Sequence, residues 1–248
     1  MKQADLFLRA VKLKRSQVPS FKAYPFSIPA INQLDELQLR SPVTFFIGEN
    51  GTRKSTLLEA IAVSAGFNAE GGSRHFRFST RATHSNLHEH LRLVRSGARP
   101  RDGYFLRAES FYNVASAAED YGVTEFYGGD SLHAQSHGES FMALVLNRLK
   151  GKGLYFFDEP ESALSPTRQL SLMVAMQGLV DRGSQFVIAT HSPILLGYPG
   201  AEILQFGNGR ITPVAYKDTE HYVVTRAFLE TPERMLRELM RPEPEAEQ

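Results

Sequence analysis

The chain has 248 residues, 42% of them hydrophobic and 22% charged, and a formal net charge of +1. That is enough chain to bury one large α/β core, and so small a net charge names no polyanionic partner by itself. There is no cysteine, which excludes disulfides and thiolate metal sites, and no apolar run approaches the roughly 18 residues of a membrane span.

The N-terminal MKQADLFLRAVKLKR has no uninterrupted apolar stretch of the signal-peptide kind, so a cytoplasmic location is expected. Residues 4–15 and 21–28 read as short β-like runs punctuated by Pro19, Pro25 and Pro29, which predicts a small antiparallel layer or edge strands. Tyr24 and Phe26 are aromatic candidates for stacking on an adenine, against the commoner role of core packing. Val43 to Ile47 is a continuous apolar run of the kind a buried parallel strand gives. It leads into a glycine-rich turn, Gly48, Glu49, Asn50, Gly51, Thr52 and Arg53, and then into Lys54, Ser55 and Thr56. Leu57, Leu58, Ile61, Ala62 and Ala65 follow at helical spacing. Strand, glycine turn, Lys-Ser and helix is the context of a phosphate-binding loop. Backbone N–H groups and the helix N-terminus face the phosphates. Lys54 is placed to reach the β and γ phosphates, and the Ser55 hydroxyl to ligate Mg²⁺. Arg53 stands where this motif has its second glycine, a position that favours φ > 0 and close backbone approach.

Residues 66–135 are the least regular. His84, His88 and His90 cluster near Glu89, but no nearby motif completes a metal site. Arginines accumulate between Arg74 and Arg107, where Glu89 and Asp102 are the only acids, so nucleic-acid phosphates are one candidate partner, against a solvated helical subdomain or arginines aimed at a partner subunit. Ser136, His137, Gly138 and Glu139 open a helix whose apolar positions include Phe141, Leu144, Val145 and Leu149. Leu154 to Phe157 is a second buried strand, and it ends in Asp158 and Glu159. Acids after four apolar residues are costly unless they have work. Asp158 can hold Mg²⁺, and Glu159 can polarise an attacking water. Ser165 and Pro166 read as the N-cap and first position of a helix with Leu170, Met173, Val174 and Gln177 on its packed face. Gln185 to Thr190 is a third buried strand, ending at His191, a candidate γ-phosphate sensor. Residues 202–206 and 211–216 read as a hairpin about Gly207-Asn208-Gly209, and Thr219 and Thr231-Pro232 as the starts of two closing helices.

Taken in order, these motifs resemble those of ABC-type ATPases. QSHGES at 135–140 resembles the signature, with Ser136 and Gly138 matched, His137 in place of a glycine and Glu139 where many members have glutamine. FFDEPESALSP at 156–166 resembles the Walker B strand, catalytic glutamate and D-loop, and ATHSP at 189–193 the switch-histidine loop. The phrasing is closest to stand-alone bacterial ATPases of the AAA family label, and more distantly similar to ATPases of the SMC and RecF kind. The resemblance implies an α/β P-loop NTPase with an ABC-ATPase-like core, a small N-terminal antiparallel β layer and a helical subdomain. It implies one domain over 1–240, with a helical or irregular subdomain at about 66–150, and a polar tail at 241–248. It further implies ATP and Mg²⁺ as cofactors, Mg²⁺ held by Ser55 and Asp158, and Glu159 and His191 as catalytic residues. ATP would close a homodimer in which Ser136, His137, Gly138 and Glu139 complete the neighbour's site and drive an unknown protein partner. Two departures stand out: Arg53, expected to weaken nucleotide binding, and the lack of any glutamine between Thr56 and Ala134 to serve as the Q-loop residue. Other readings stay open: a degenerate nucleotide-binding scaffold, a DNA-associated ATPase, and the nucleotide-binding subunit of a transporter.

Overall fold

The computed structural model describes residues 6–74, 85–107 and 136–241. Its centre is a seven-stranded sheet in the order β10-β9-β3-β8-β7-β6-β4. The strands are β3 (Val43–Gly48), β4 (Gly72–Ser73), β6 (Asp102–Arg107), β7 (Gly153–Asp158), β8 (Gln185–Ala189), β9 (Glu202–Gly207) and β10 (Arg210–Pro213). Strands β9, β3, β8, β7 and β6 run parallel, and β10 and β4 are antiparallel edges. A second sheet, β2-β1-β5, is antiparallel and comprises β1 (Leu8–Leu13), β2 (Glu36–Gln38) and β5 (Leu91–Arg95).

The three central strands are buried at every position, because both faces of the sheet are covered. Their side chains divide by the two-residue period of the pleat. Phe46, Phe156, Val187 and Ala189 pack on the face shared with β1 and with α2 (Lys54–Ser64). Phe45, Ile47, Tyr155, Phe157, Phe186 and Ile188 pack on the other. That face is covered by α3 (His137–Ala143), the single π turn Leu144–Arg148 and α4 (Pro166–Asp181). The Gln185 carboxamide joins the two sheets. It accepts from the Leu8 N–H at 2.9 Å and donates to the Leu8 carbonyl at 2.8 Å, so one buried side chain stands in for a ladder partner. Helix α2 stops at a Schellman turn: Gly66, at φ +97°, donates to the Val63 carbonyl, and Phe67 to that of Ala62.

Three expectations need correction. Residues 21–28 form turns rather than a strand, and lead into α1 (Pro29–Asn32). Pro19 and Pro25 remove ladder donors there, and Phe26 instead anchors the segment in the core at 1% exposure. The stretch after residue 66, expected to be helical or irregular, contributes β4, β5 and β6 to the two sheets. The packed face of α4 is Gln169, Leu172, Met176 and Leu179, whereas Leu170 and Val174 are 54% and 74% exposed and Gln177 faces solvent. A polar residue marks the buried side because Gln169 is satisfied inside: its amide donates to the Leu164 carbonyl, and its oxygen accepts from the Ser192 hydroxyl. The closing helices begin where the sequence places them, as α5 (Glu220–Glu230) capped by Thr219 and α6 (Pro232–Leu239) entered from Thr231. The tail residues 242–248 lie outside the described residues, and residue 241 is exposed.

Candidate nucleotide site

Parallel strands deliver their loops to one end of a sheet, and the adjacent trio β3, β8 and β7 brings the sequence motifs together there. The Gly48–Arg53 turn follows β3. Gly48, at φ +146°, admits no side chain, since a Cβ would lie 2.4 Å from the Phe206 carbonyl oxygen. Gly51 also has positive φ, +85°. Thr52 closes the turn by donating from its N–H and hydroxyl to the Glu49 carbonyl, at 3.2 and 2.8 Å. Arg53 is left-handed, at φ 65° and ψ 35°, and precedes α2 without a side-chain cap. Its guanidinium carbon lies 6.0 Å from the centre of the Tyr24 ring. Tyr24 is 58% exposed.

Lys54 is 4% exposed, and its ammonium donates to the carbonyls of Gly48 at 2.8 Å and Glu49 at 3.2 Å. Burial pulls its pKa down, while Glu159, Asp158 and Glu161 push it back up, so three acids stand around this one cation. Ser55 and Thr56 are partly exposed at the start of α2. Asp158 is buried at the end of β7, and its Oδ2 lies 3.6 Å from the Arg107 Nε. Arg107 is paired with Asp158 in register across β6 and β7. It also donates to the Glu59 carboxylate at 2.7 Å and to the Ala69 carbonyl at 3.1 Å. One guanidinium thus ties the phosphate-loop helix to the end of β7. No reading of the sequence assigned Arg107 this place, although a basic residue closing an otherwise apolar strand, YFLR, is a visible signal.

Glu159 is also left-handed, at φ 50°, and its N–H donates to the Ala189 carbonyl at 2.9 Å. Its carboxylate is 45% exposed and stands 3.8 Å from the His191 Nε2. Glu161, which the sequence reading passed over, fixes the histidine loop. It accepts from the His191 N–H at 2.6 Å and from the Thr190 hydroxyl at 2.7 Å. Burial raises its pKa, and these two hydrogen bonds oppose the rise. His221, at the start of α5, is a third residue missed: its Nε2 lies 3.3 Å from the His191 Nδ1. Gly48, Glu49, Asn50, His191, His221 and Val224 line one cleft of about 310 Å³.

The signature turn lies apart from this cluster. Its described partners are on α3, α4 and the 160–163 turn. The Glu139 carboxylate accepts from the Ser136 N–H at 3.0 Å and hydroxyl at 2.7 Å, a capping box. Arg168 donates to Glu139 at 3.0 Å and to the Ser136 hydroxyl at 3.3 Å. Those bonds hold the Glu139 pKa down. A Cβ at Gly138 would meet the Arg168 guanidinium at 2.4 Å and the Ala163 carbonyl at 2.9 Å. His137 begins α3, and its side chain lies outside the described residues. Exposed Arg92, Arg95, Arg99 and Arg101 belong to β5 and the loop after it. That loop enters β6 at its N-terminal end, the far end of the parallel sheet from the phosphate loop. His84 lies outside the described residues, and among those described no cluster of His, Asp or Glu could hold a metal. No helix among them is long and apolar enough to cross a membrane.

Burial lowers the pKa of both His191 and His221. The Lys54 charge adds to that for each, and Glu159 and Glu220 respectively oppose it. Above pH 6.5 both are neutral folded and unfolded. As pH falls below 6.5 the unfolded chain binds protons that the folded one resists, so this pair subtracts stability on the acid side. Urea denaturation of wild type and His191→Gln/His221→Gln at pH 5.5 and 7.5 is expected to show a larger acid loss in wild type. Equal losses would contradict the assignment.

At low sequence identity the chain shares its α/β fold with solved chains described as ABC transporter components. A family model described as "AAA domain, putative AbiEii toxin, Type IV TA system" matches residues 140–197, from α3 through the histidine loop. Among solved structures, the chain is similar to cbiO1 from Clostridium perfringens, part of the ABC transporter complex cbiONQ. The TM-score is 0.51 at 17% identity, over 95% of this chain and 99% of that one. It is also similar to a chain described as a metal-chelate type ABC transporter in an inward-facing conformation, with TM-score 0.50 and 16% identity over 89% and 88%. No curated protein matches the sequence.

Proposed function

We propose that residues 1–240 form one ABC-type ATPase domain that binds Mg²⁺-ATP at the Gly48–Thr56 loop and hydrolyses it. The observation that carries this is the meeting of a buried lysine with two strand-end carboxylates and a histidine, from three adjacent parallel strands. The residues fit the group. Ser55 and Asp158 offer the hard oxygen donors Mg²⁺ takes, and the His191 Nε2 is shielded from solvent and has no hydrogen-bond partner among the described residues. When bound, Mg²⁺ neutralises charge on the phosphates. Lys54 exchanges its two loop carbonyls for phosphate oxygens. Glu159 is exposed enough to meet water and acts as the base, and His191 holds the γ-phosphate. Among the described residues, Ser136 and Glu139 make side-chain bonds only within their own corner of the fold, which suits a turn that completes a second copy's site. ATP-driven homodimers acting on a protein partner follow from that reading. Phosphate release by wild type and Lys54→Ala is the test, and equal rates would refute it.

Arg53 tempers the activity. A left-handed non-glycine residue costs about 1–2 kcal/mol, and the guanidinium carbon lies 6.0 Å from the centre of the exposed Tyr24 ring, where an adenine would stack. Arg53→Gly is expected to tighten ATP about tenfold, or about 1.4 kcal/mol, in titration calorimetry with Mg²⁺. Equal or weaker affinity would make Arg53 a working part of the site. A scaffold with negligible turnover is the second reading, favoured by this same strained residue, and it predicts no phosphate release from either form.

A further inference from the structure

His191 and His221 come from different elements, the loop after β8 and the first turn of α5, and meet at 3.3 Å between Nδ1 and Nε2. The ring centroids are 5.4 Å apart, at 47°. Thr219, fully buried, caps α5 by accepting from the Tyr222 N–H, and the Tyr216 hydroxyl just before it donates to the Pro193 carbonyl at 2.9 Å. The first turn of α5 is therefore pinned to the same loop that carries His191. The outer nitrogens, His191 Nε2 and His221 Nδ1, are shielded from solvent and have no hydrogen-bond partner among the described residues. The Lys54 ammonium faces both rings, Glu159 faces His191 and Glu220 faces His221.

Two neutral imidazoles sharing one hydrogen bond have two arrangements. If His191 donates from Nδ1, its Nε2 turns a bare lone pair towards the Glu159 carboxylate 3.8 Å away, and His221 buries an unused N–H at Nδ1. Both features are unfavourable. If His221 donates from Nε2, His191 carries its proton on Nε2, and that N–H points to the acid side of the cleft. We infer that His221 is a positioning residue that donates to His191 and locks it as the Nε2–H tautomer, making it a hydrogen-bond donor on the phosphate-loop side. The partner's hydrogen bond decides which ring nitrogen carries the proton. What that donor serves, the γ-phosphate, rests on the function proposed above. The tautomer does not.

The test labels histidine with ¹⁵N and reads ring tautomers from two-bond nitrogen–proton NMR spectra of the nucleotide-free protein. Loss of one signal set in His191→Gln assigns the residue. Wild type is expected to show His191 protonated at Nε2 and bare at Nδ1. His221→Leu, which has no donor, is expected to give a tautomer mixture, and His221→Gln, whose side-chain N–H can take the same place, to restore the single form. Titrations with ATP and with ADP then read the consequence: His221→Leu loses about tenfold for ATP with ADP little changed, and His221→Gln recovers most of it. His191 bare at Nε2 in wild type would overturn the inference, as would an unchanged tautomer in His221→Leu. Correct tautomers in a protein that binds neither nucleotide would uphold the positioning role and refute the nucleotide reading alone.

Discussion

Glu159→Gln is expected to cut ATP turnover by about 10²- to 10⁴-fold, the usual contribution of a positioned general base, while leaving ATP bound. The amide keeps the shape of the carboxylate and cannot take a proton. Glu159 is held for this by its backbone: the left-handed φ of 50° and the N–H donated to Ala189 turn its side chain off the line of β7 towards His191. Strained residues of this kind gather at working sites. With hydrolysis blocked, ATP and Mg²⁺ are expected to shift the protein from monomer to dimer on a sizing column. To separate assembly from weak binding, the shift is measured in an Arg53→Gly background. A monomer under those conditions would refute the sandwich, and near-normal phosphate release from Glu159→Gln would refute its role as base.

The second large effect concerns Arg107. Removing one partner of a buried charge network leaves the others uncompensated, at about 3–5 kcal/mol. Arg107 neutralises Glu59 at 2.7 Å, lies 3.6 Å from Asp158 and donates to the Ala69 carbonyl. Arg107→Leu is thus expected to destabilise by about that much in urea denaturation. Glu59→Leu combined with it should recover a substantial part, because residues in contact are not additive. A loss below about 1 kcal/mol, the range of exposed pairs, would show that solvent already screens the network. Full loss without recovery in the double variant would show that Glu59 is not the partner that sets the cost.

The three strands that carry the site were legible because they are covered on both faces and so read as unbroken apolar runs, each ending abruptly in Gly48, Asp158 or Thr190-His191. Helix starts at Ser165 and Thr219 were legible because capping chemistry is local, and the start after Thr231 because Pro232 takes the first helical position. What was missed depends on distant contacts. Strand β6 ends in charged residues that look like loop, but Asp102 is bonded to Arg148 at 3.0 Å and to the Tyr155 hydroxyl at 2.8 Å, and Arg107 to Glu59. Gln169 hides the buried face of α4 because its partners are Leu164 and Ser192. His221 has no motif around it. It meets His191 only because α5 brings it there from a distant part of the chain.

Gly138 bears on how mutants of this protein are interpreted. The space its missing side chain leaves is filled from within the same chain, by the Ala163 carbonyl and the Arg168 guanidinium. Any larger residue at 138 would press on the Ala163 carbonyl within a lone subunit, before a second copy is met. An inactive Gly138 variant would therefore mix a local packing defect with any assembly defect. Complementation between subunits, with one copy carrying Lys54→Ala and the other Ser136→Ala, avoids the steric conflict, since Ser136 is exposed and the change removes only its hydroxyl bonds to Glu139 and Arg168. Recovered phosphate release from the mixture, at about a quarter of the wild-type rate if half the dimers are mixed and each keeps one of two sites intact, would report sharing of sites between copies.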